Sequence, residues 1–202
     1  PKYRLMWSDA DAMFLNQGKP LDGLLDDRYD AAFTCAPPTN DHWWRVLNTG
    51  HFLVRASPWT RAFLTELIRM AVTPCTGGGR LFNGWLPLCQ DNGQYWLADQ
   101  GAVMAYLVAR PAEECHVHYV NFRELNSEPP WVESGDLVVH FPGRGSGALP
   151  IMQAYAQHTN FDTGVVDAAK SPLLAQQHNP DFELGHQAAY DAAVPPCAAR
   201  RP

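Results

Sequence analysis

Tyr3-Arg4-Leu5-Met6-Trp7-Ser8-Asp9-Ala10-Asp11-Ala12-Met13-Phe14 is the stretch on which the fold turns. Its apolar half has the length of a strand and stops abruptly at a polar cluster, so it reads as a buried strand delivering two carboxylates at its C-terminal end. Ligands of open α/β sheets bind in the crevice beyond such strand ends. An Asp-x-Asp pair there suits a hard divalent cation, Mn²⁺ or alternatively Mg²⁺, which takes oxygen ligands and keeps positions open for phosphates. The pair alone fits a solvated turn with an Asp cap equally well. Phosphatases and mutases that form an aspartyl-phosphate begin in a similar way. Their second Asp is commonly followed by x-Thr or x-Val, whereas Ala12-Met13-Phe14 follows here, so that chemistry ranks below a metal-nucleotide site. A buried parallel strand needs neighbours, which leads to the expectation that one or two βα units precede Tyr3.

Moving outward, His51-Phe52-Leu53-Val54-Arg55 reads as a second strand, and Ser57-Pro58 as a helix N-cap with proline in the first turn. The helix that follows places Trp59, Phe63, Leu64, Leu67, Ile68 and Ala71 on one apolar face. Thr73 to Trp96 is rich in glycine and aromatics and reads as a long irregular loop, a candidate acceptor-side element. Its Gly77-Gly78-Gly79 has no following Gly-Lys-Ser/Thr and is not a P-loop. A helix starts at Asp99, and strands are expected over His116–Val120 and Asp136–Phe141, with a turn at Asn126–Pro130 between them. After the glycine-rich run Gly143–Gly147 only one short helix, Ile151–His158, stands out. The expected division is therefore a transferase-like part over residues 1–149 and an irregular tail over 150–202.

The chain has 202 residues, 46% hydrophobic and 18% charged, which excludes wholesale disorder and a coiled coil. Its net charge of -6 argues against holding nucleic acid by phosphate neutralisation. No window approaches the length of apolar sequence that a membrane span requires. Five cysteines without a C-x-x-C pair exclude a zinc ribbon and leave the redox compartment open, a bridge such as Cys75 to Cys89 being compatible with the spacing.

Three other places carry candidate chemistry. His140 ends an apolar strand; a histidine so placed is most often satisfied by backbone, but if its strand lies beside the first, Asp9, Asp11 and His140 form a sensible Mn²⁺ set. Gly143 and Arg144 could offer backbone N–H groups and one cation to a diphosphate, or form a plain flexible turn. Asp99 reads as a helix cap and Asn48-Thr49-Gly50 as a loop. His116 and His118 share a strand face without a third ligand.

These pieces occur in an order that resembles the galactosyltransferase family of fungal α-1,2-galactosyltransferases, α-1,6-mannosyltransferases and plant xyloglucan α-xylosyltransferases. The resemblance rests on the whole stretch Tyr3–Phe14 with its Asp9-Ala10-Asp11, on Asn48–Arg55 followed by Ser57-x-Trp59, and on Asp99-Gln100 with Ala102. It continues in Asn126-Ser127 and in Gly135–Phe141 with Gly143. It implies a GT-A type α/β fold, of which this chain carries the C-terminal two-thirds with a mixed central sheet and without the first nucleotide-binding βα units. The implied activity is metal-dependent transfer of a hexosyl or pentosyl unit, with retention, from a nucleotide-sugar such as a UDP-sugar to a glycan acceptor. Carried over by position, Asp9, Asp11 and His140 hold Mn²⁺, and Asp99 and Gln100 lie against the sugar as catalytic groups. Asp9, Asn48, Thr49, Gly50, Gly143 and Arg144 contact the nucleotide-sugar. Ala98 stands where members often have an acidic residue. The resemblance also implies the Golgi lumen. A partner chain or a preceding segment is expected to cover the open edge of the first strand, and a non-catalytic scaffold built on a transferase fold is the alternative reading.

Overall fold

The structure, a computed structural model, describes residues 4–35, 47–76, 80–81, 86–96, 98–129 and 131–177. A four-stranded sheet in the order β1-β4-β3-β7 is built from β1 (Arg4–Ser8), β3 (Ala31–Cys35), β4 (Leu47–Arg55) and β7 (Val117–Val120). β4 is antiparallel to both β1 and β3, and β3 is parallel to β7, so the fold is mixed α/β with a mixed central sheet. The expectation of a buried parallel leading strand is corrected here. β1 is the edge strand among the described residues, pairing with β4 alone, and its Leu5 and Trp7 are exposed.

β4 is nine residues long, and its ladder with β3 jumps from Phe33↔Phe52 to Thr34↔Asn48. Thr49, Gly50 and His51 therefore bulge out of that ladder, while His51 still pairs with Ser8 of β1. Bulges re-aim side chains, and this one turns three polar-site residues away from regular pleating.

On one face of the sheet lie α1 (Pro58–Val72) and α2 (Ala98–Ala109). Ser57 caps α1 as expected, its side chain accepting from the Thr60 N–H at 3.1 Å. The buried stripe of α1 is Thr60, Phe63 and Met70, with Trp59, Leu64 and Leu67 packed beside it. Ile68 and Ala71, expected on that face, point to solvent; the helix is rotated so that Phe63 meets Phe33 and Tyr106 edge-on. Burying a side chain the size of Phe63 contributes about 2–3 kcal/mol.

The Thr73–Trp96 region is more ordered than an irregular loop. A short ladder joins β5 (Arg80–Leu81) to β6 (Leu86–Pro87), and Cys75 is disulfide-bonded to Cys89. Cys75 N–H also donates to Gly93 O at 2.7 Å. Gly77-Gly78-Gly79 and Gly84-Trp85 lie outside the described residues.

A second layer is formed by β2 (Ala12–Phe14) and β8 (Val138–His140), an antiparallel pair in which Ala12 faces His140. The strand of His140 thus pairs with the residues after Asp11 and not with β1. Against this pair pack α4 (Ala148–His158) and α5 (Pro172–Gln177), whose Ile151, Tyr155 and Leu174 join Leu15, Val139 and Phe141 in one apolar cluster. Between them β9 (Thr159–Asn160) pairs with β10 (Val165–Val166), and Gln17 N–H donates to Phe161 O at 2.7 Å. Residues 159–177 therefore carry structure where little periodicity was expected, because their few apolar side chains are spent on contacts with distant strands. Helix α4 crosses the expected boundary between residues 149 and 150; residues 178–202 lie outside the described residues. No helix among the described residues is long and apolar enough to cross a membrane.

Candidate metal and nucleotide-sugar site

β1 ends at Ser8, and the turn Asp9-Ala10-Asp11 crosses from the main sheet to β2. Both ends of the turn are pinned by backbone: Asp9 N–H donates to Gly50 O at 2.8 Å, and Phe141 N–H donates to Asp11 O at 2.9 Å. The Trp7 indole N–H adds a bond to Asp9 Oδ1 at 3.0 Å. His140 arrives at the end of β8, with Nε2 3.3 Å from Asp11 Oδ1 and 3.8 Å from Asp9 Oδ2. One ligand atom from each of Asp9, Asp11 and His140 lies within 4.8 Å of the others, a group able to hold a metal ion. Two carboxylate oxygens and one imidazole nitrogen form a donor set that suits a divalent first-row cation.

The imidazole is held from behind. His140 Nδ1 lies 2.9 Å from Asn126 Oδ1, and the same oxygen lies 3.0 Å from His51 Nδ1. The two rings meet edge to face with centroids 5.2 Å apart. Gly50 fits beneath His140, where an added Cβ would lie 2.3 Å from His140 Cε1. Burial pushes His140 below its ordinary value, against the opposing pull of Asp11 and Asp9. Burial likewise pushes His51 down to about 4, although its bond to Asn126 opposes the shift. Both rings are thus neutral near pH 7, the state in which an imidazole can ligate a metal.

Asn126 and Ser127 were expected in a turn, with no burial assigned to them. They are fully buried, following the short helix α3 (Phe122–Leu125), and Ser127 O accepts from His140 N–H at 2.7 Å. Ser127 finds a partner, its Oγ donating to Asp136 Oδ2 at 2.5 Å, which also accepts from Glu133 N–H at 2.9 Å, whereas Asn126 bonds through Oδ1 and its buried Nδ2 meets no partner among the described residues.

Asp99 and Gln100 lie in the first turn of α2 and reach the bulge of β4. Thr49 Oγ1 donates to Asp99 Oδ2 at 2.7 Å, and Thr49 N–H donates to Gln100 Oε1 at 3.3 Å. Asn48 Oδ1 accepts from Gly50 N–H at 2.7 Å, closing the bulge on itself. Asn48, Thr49, Gly50, Asp99 and Gln100 therefore form one connected wall, joined to Asp9 through Gly50 O. Helix α2 begins tightly: Ala98 has a φ of 49°, and a Cβ on Gly101 would fall 1.6 Å from Trp96 O.

Gly143 and Arg144 occupy the turn after β8, where the φ of 70° at Gly143 favours glycine. Arg144 reaches Pro129 O at 3.5 Å, and its charge opposes the burial that pushes Glu128 up to about 8. No contact joins Arg144 to the Asp9–Asp11–His140 group among the described residues. His116 lies in the helical turn before β7 and bonds Asp30 at 2.6 Å, while His118 bonds Leu24 O at 3.3 Å; they do not form a ligand pair. Sequence reasoning gave His51 and Asn126 no role, and the one available signal was their position inside blocks already quoted.

No family model matches the chain, and no curated protein matches it. A solved structure does. It is the crystal structure of a glycosyltransferase involved in the glycosylation of the major capsid of PBCV-1, 13% identical, with a TM-score of 0.50. The match covers 76% of this chain and 66% of that one, just under two thirds of its length. At this identity the likeness to that structure is one of fold alone.

Proposed function

We propose that the chain is the catalytic part of a metal-dependent retaining glycosyltransferase of GT-A type. It would move a hexosyl or pentosyl unit from a nucleotide-sugar, a UDP-sugar by resemblance, to a glycan acceptor. The observation that carries this reading is the convergence of Asp9 and Asp11, from one turn, and His140, from a strand end far along the chain, on one point of a glycosyltransferase-like fold. Asp9, Asp11 and His140 would hold Mn²⁺, which when bound supplies positive charge to a departing diphosphate. The wall of Asn48, Thr49, Gly50, Asp99 and Gln100 lies on the neighbouring bulge and helix start. There Asp99, held by Thr49, would keep its carboxylate against the sugar, where positive charge develops. Gly143 and Arg144 would serve the diphosphate side; Arg144 would have to leave Pro129 O, a bond long enough at 3.5 Å to give up readily. The Cys75–Cys89 disulfide supports an oxidising compartment, consistent with the Golgi lumen that the resemblance implies.

The test is calorimetric titration of Mn²⁺, and of UDP in its presence, into the chain and into Asp11→Ala. The expected result is Mn²⁺-dependent UDP binding that the substitution abolishes. Indistinguishable affinities would overturn the metal assignment and favour the scaffold reading.

A further inference from the structure

We infer that Asn126 is a positioning residue for His140, its side-chain oxygen accepting the Nδ1 protons of His140 and His51 together and so leaving His140 Nε2 as a bare lone pair aimed at the Asp9–Asp11 turn. This inference deepens the proposed metal site and rests on it for its functional meaning, though not for its chemistry. An amide oxygen has two lone pairs and no proton, so two ring nitrogens at 2.9 and 3.0 Å can both bond it only as donors. In a neutral imidazole one nitrogen carries the proton and the other accepts. Fixing the proton on Nδ1 therefore fixes the lone pair on Nε2, the atom 3.3 Å from Asp11 and 3.8 Å from Asp9.

The rest of the pocket makes this hold rigid. His140, His51 and Asn126 are all buried, His140 N–H is tied to Ser127 O next in sequence to Asn126, and Gly50 leaves no room for the ring to tilt. The groups that face the pair are Asp9 and Asp11 from the turn, and each ring faces the other; no lysine or arginine contact with His51, His140 or Asn126 is found among the described residues. Asn126 itself touches neither carboxylate among the bonds described, so it acts through the histidine. His51 takes the second lone pair of the amide oxygen and blocks rotation of the Asn126 side chain. Such outer partners of a ligating histidine typically change metal affinity about 10–100-fold when removed.

Long-range ¹H–¹⁵N correlation spectra of the metal-free chain at pH 8 read the tautomers directly. The expected result is both rings protonated on Nδ1 in the wild type and in Asn126→Asp, which keeps an oxygen acceptor. In Asn126→Ala, His140 should populate both tautomers and Mn²⁺ affinity should fall about 10–100-fold, while Asn126→Asp stays within a few fold of wild type. Should Asn126→Ala fail to fold, the wild-type and Asn126→Asp spectra still decide. His140 protonated on Nε2 in the wild type, the arrangement in which the amide NH₂ donates to both rings, overturns the inference. A folded Asn126→Ala with wild-type Mn²⁺ affinity overturns it as well. A wild-type chain with the expected tautomers that binds no Mn²⁺ upholds the role of Asn126 and overturns the metal reading instead.

Discussion

Asp9 and Asp11 keep 40% and 39% of their side-chain surface open to solvent, whereas His140 keeps 3%. The carboxylates sit on a turn pinned by backbone bonds alone, apart from the Trp7 indole; the imidazole sits in a buried network of Asn126, His51 and Ser127. The difference divides the labour of the site. The half-buried carboxylates supply charge, while the buried ring supplies a fixed reference point. It also separates function from stability, since a solvated carboxylate can be removed without harm to the core and a buried ring cannot.

The largest effect expected follows from that separation. Asp11→Ala and His140→Ala should each weaken Mn²⁺ binding by about a thousandfold or more, which is ~4 kcal/mol. They should part company in urea unfolding without metal: Asp11→Ala changes stability by less than about 0.5 kcal/mol, and His140→Ala costs about 2–4 kcal/mol through the cavity and the loss of one of the two bonds to Asn126 Oδ1. Equal stability losses would break the comparison.

The next effect is one of pH. His51 is held down to about 4 in the fold against 6.5 unfolded, so between these values the unfolded chain binds the extra proton. Its contribution to stability is fully present above about pH 6.5 and is lost as pH falls toward 4, about 3 kcal/mol in all. Comparing unfolding free energies at pH 7 and pH 4 in wild type and His51→Gln should show a shallower acid slope in the variant. Parallel slopes would remove His51 from the buried half.

Glycines sharpen the contrast further. Gly50→Ala places a Cβ 2.3 Å from His140 Cε1, a buried ring that cannot move aside, and should cost about 2 kcal/mol and lower Mn²⁺ affinity together. Gly143→Ala, with no atom within 4 Å but a φ of 70°, should cost about 1 kcal/mol by backbone strain and leave Mn²⁺ affinity unchanged. Thermal melts with parallel calorimetry distinguish the two. The smallest effect is expected at Thr49→Val, which removes the bond to Asp99 Oδ2: about 1 kcal/mol or less in stability, unaltered Mn²⁺ binding, and slower sugar transfer.

Local signals were legible where a single segment makes its own structure. Ser57-Pro58 announced α1, the Asp-x-Asp turn followed its strand, and the Cys75–Cys89 pairing was open on spacing alone. The partners of each segment were not legible. The metal set was conditional on the His140 strand lying beside the first, and His140 stands instead opposite Ala12 of β2; Asn126-Ser127 read as part of a turn and is buried. The face of α1 was misjudged by part of a turn, since Thr60 and Met70 fill the buried stripe that Ile68 and Ala71 were expected to share.

The resemblance carried by the ordered blocks from Tyr3 to Gly143 was enough to point at an α/β transferase-like fold and to name Asp9, Asp11 and His140. Those inferences rest on chemistry carried within short segments, where residue type dictates what a side chain can ligate or cap. Only tertiary structure decided that β1 is an edge among the described residues, that the β4 bulge joins Thr49 to Asp99, and that one buried asparagine binds two histidines. Strand order, register and the satisfaction of buried polar atoms depend on pairs of residues far apart in the chain. Their free energies exist only once the chain has brought them together.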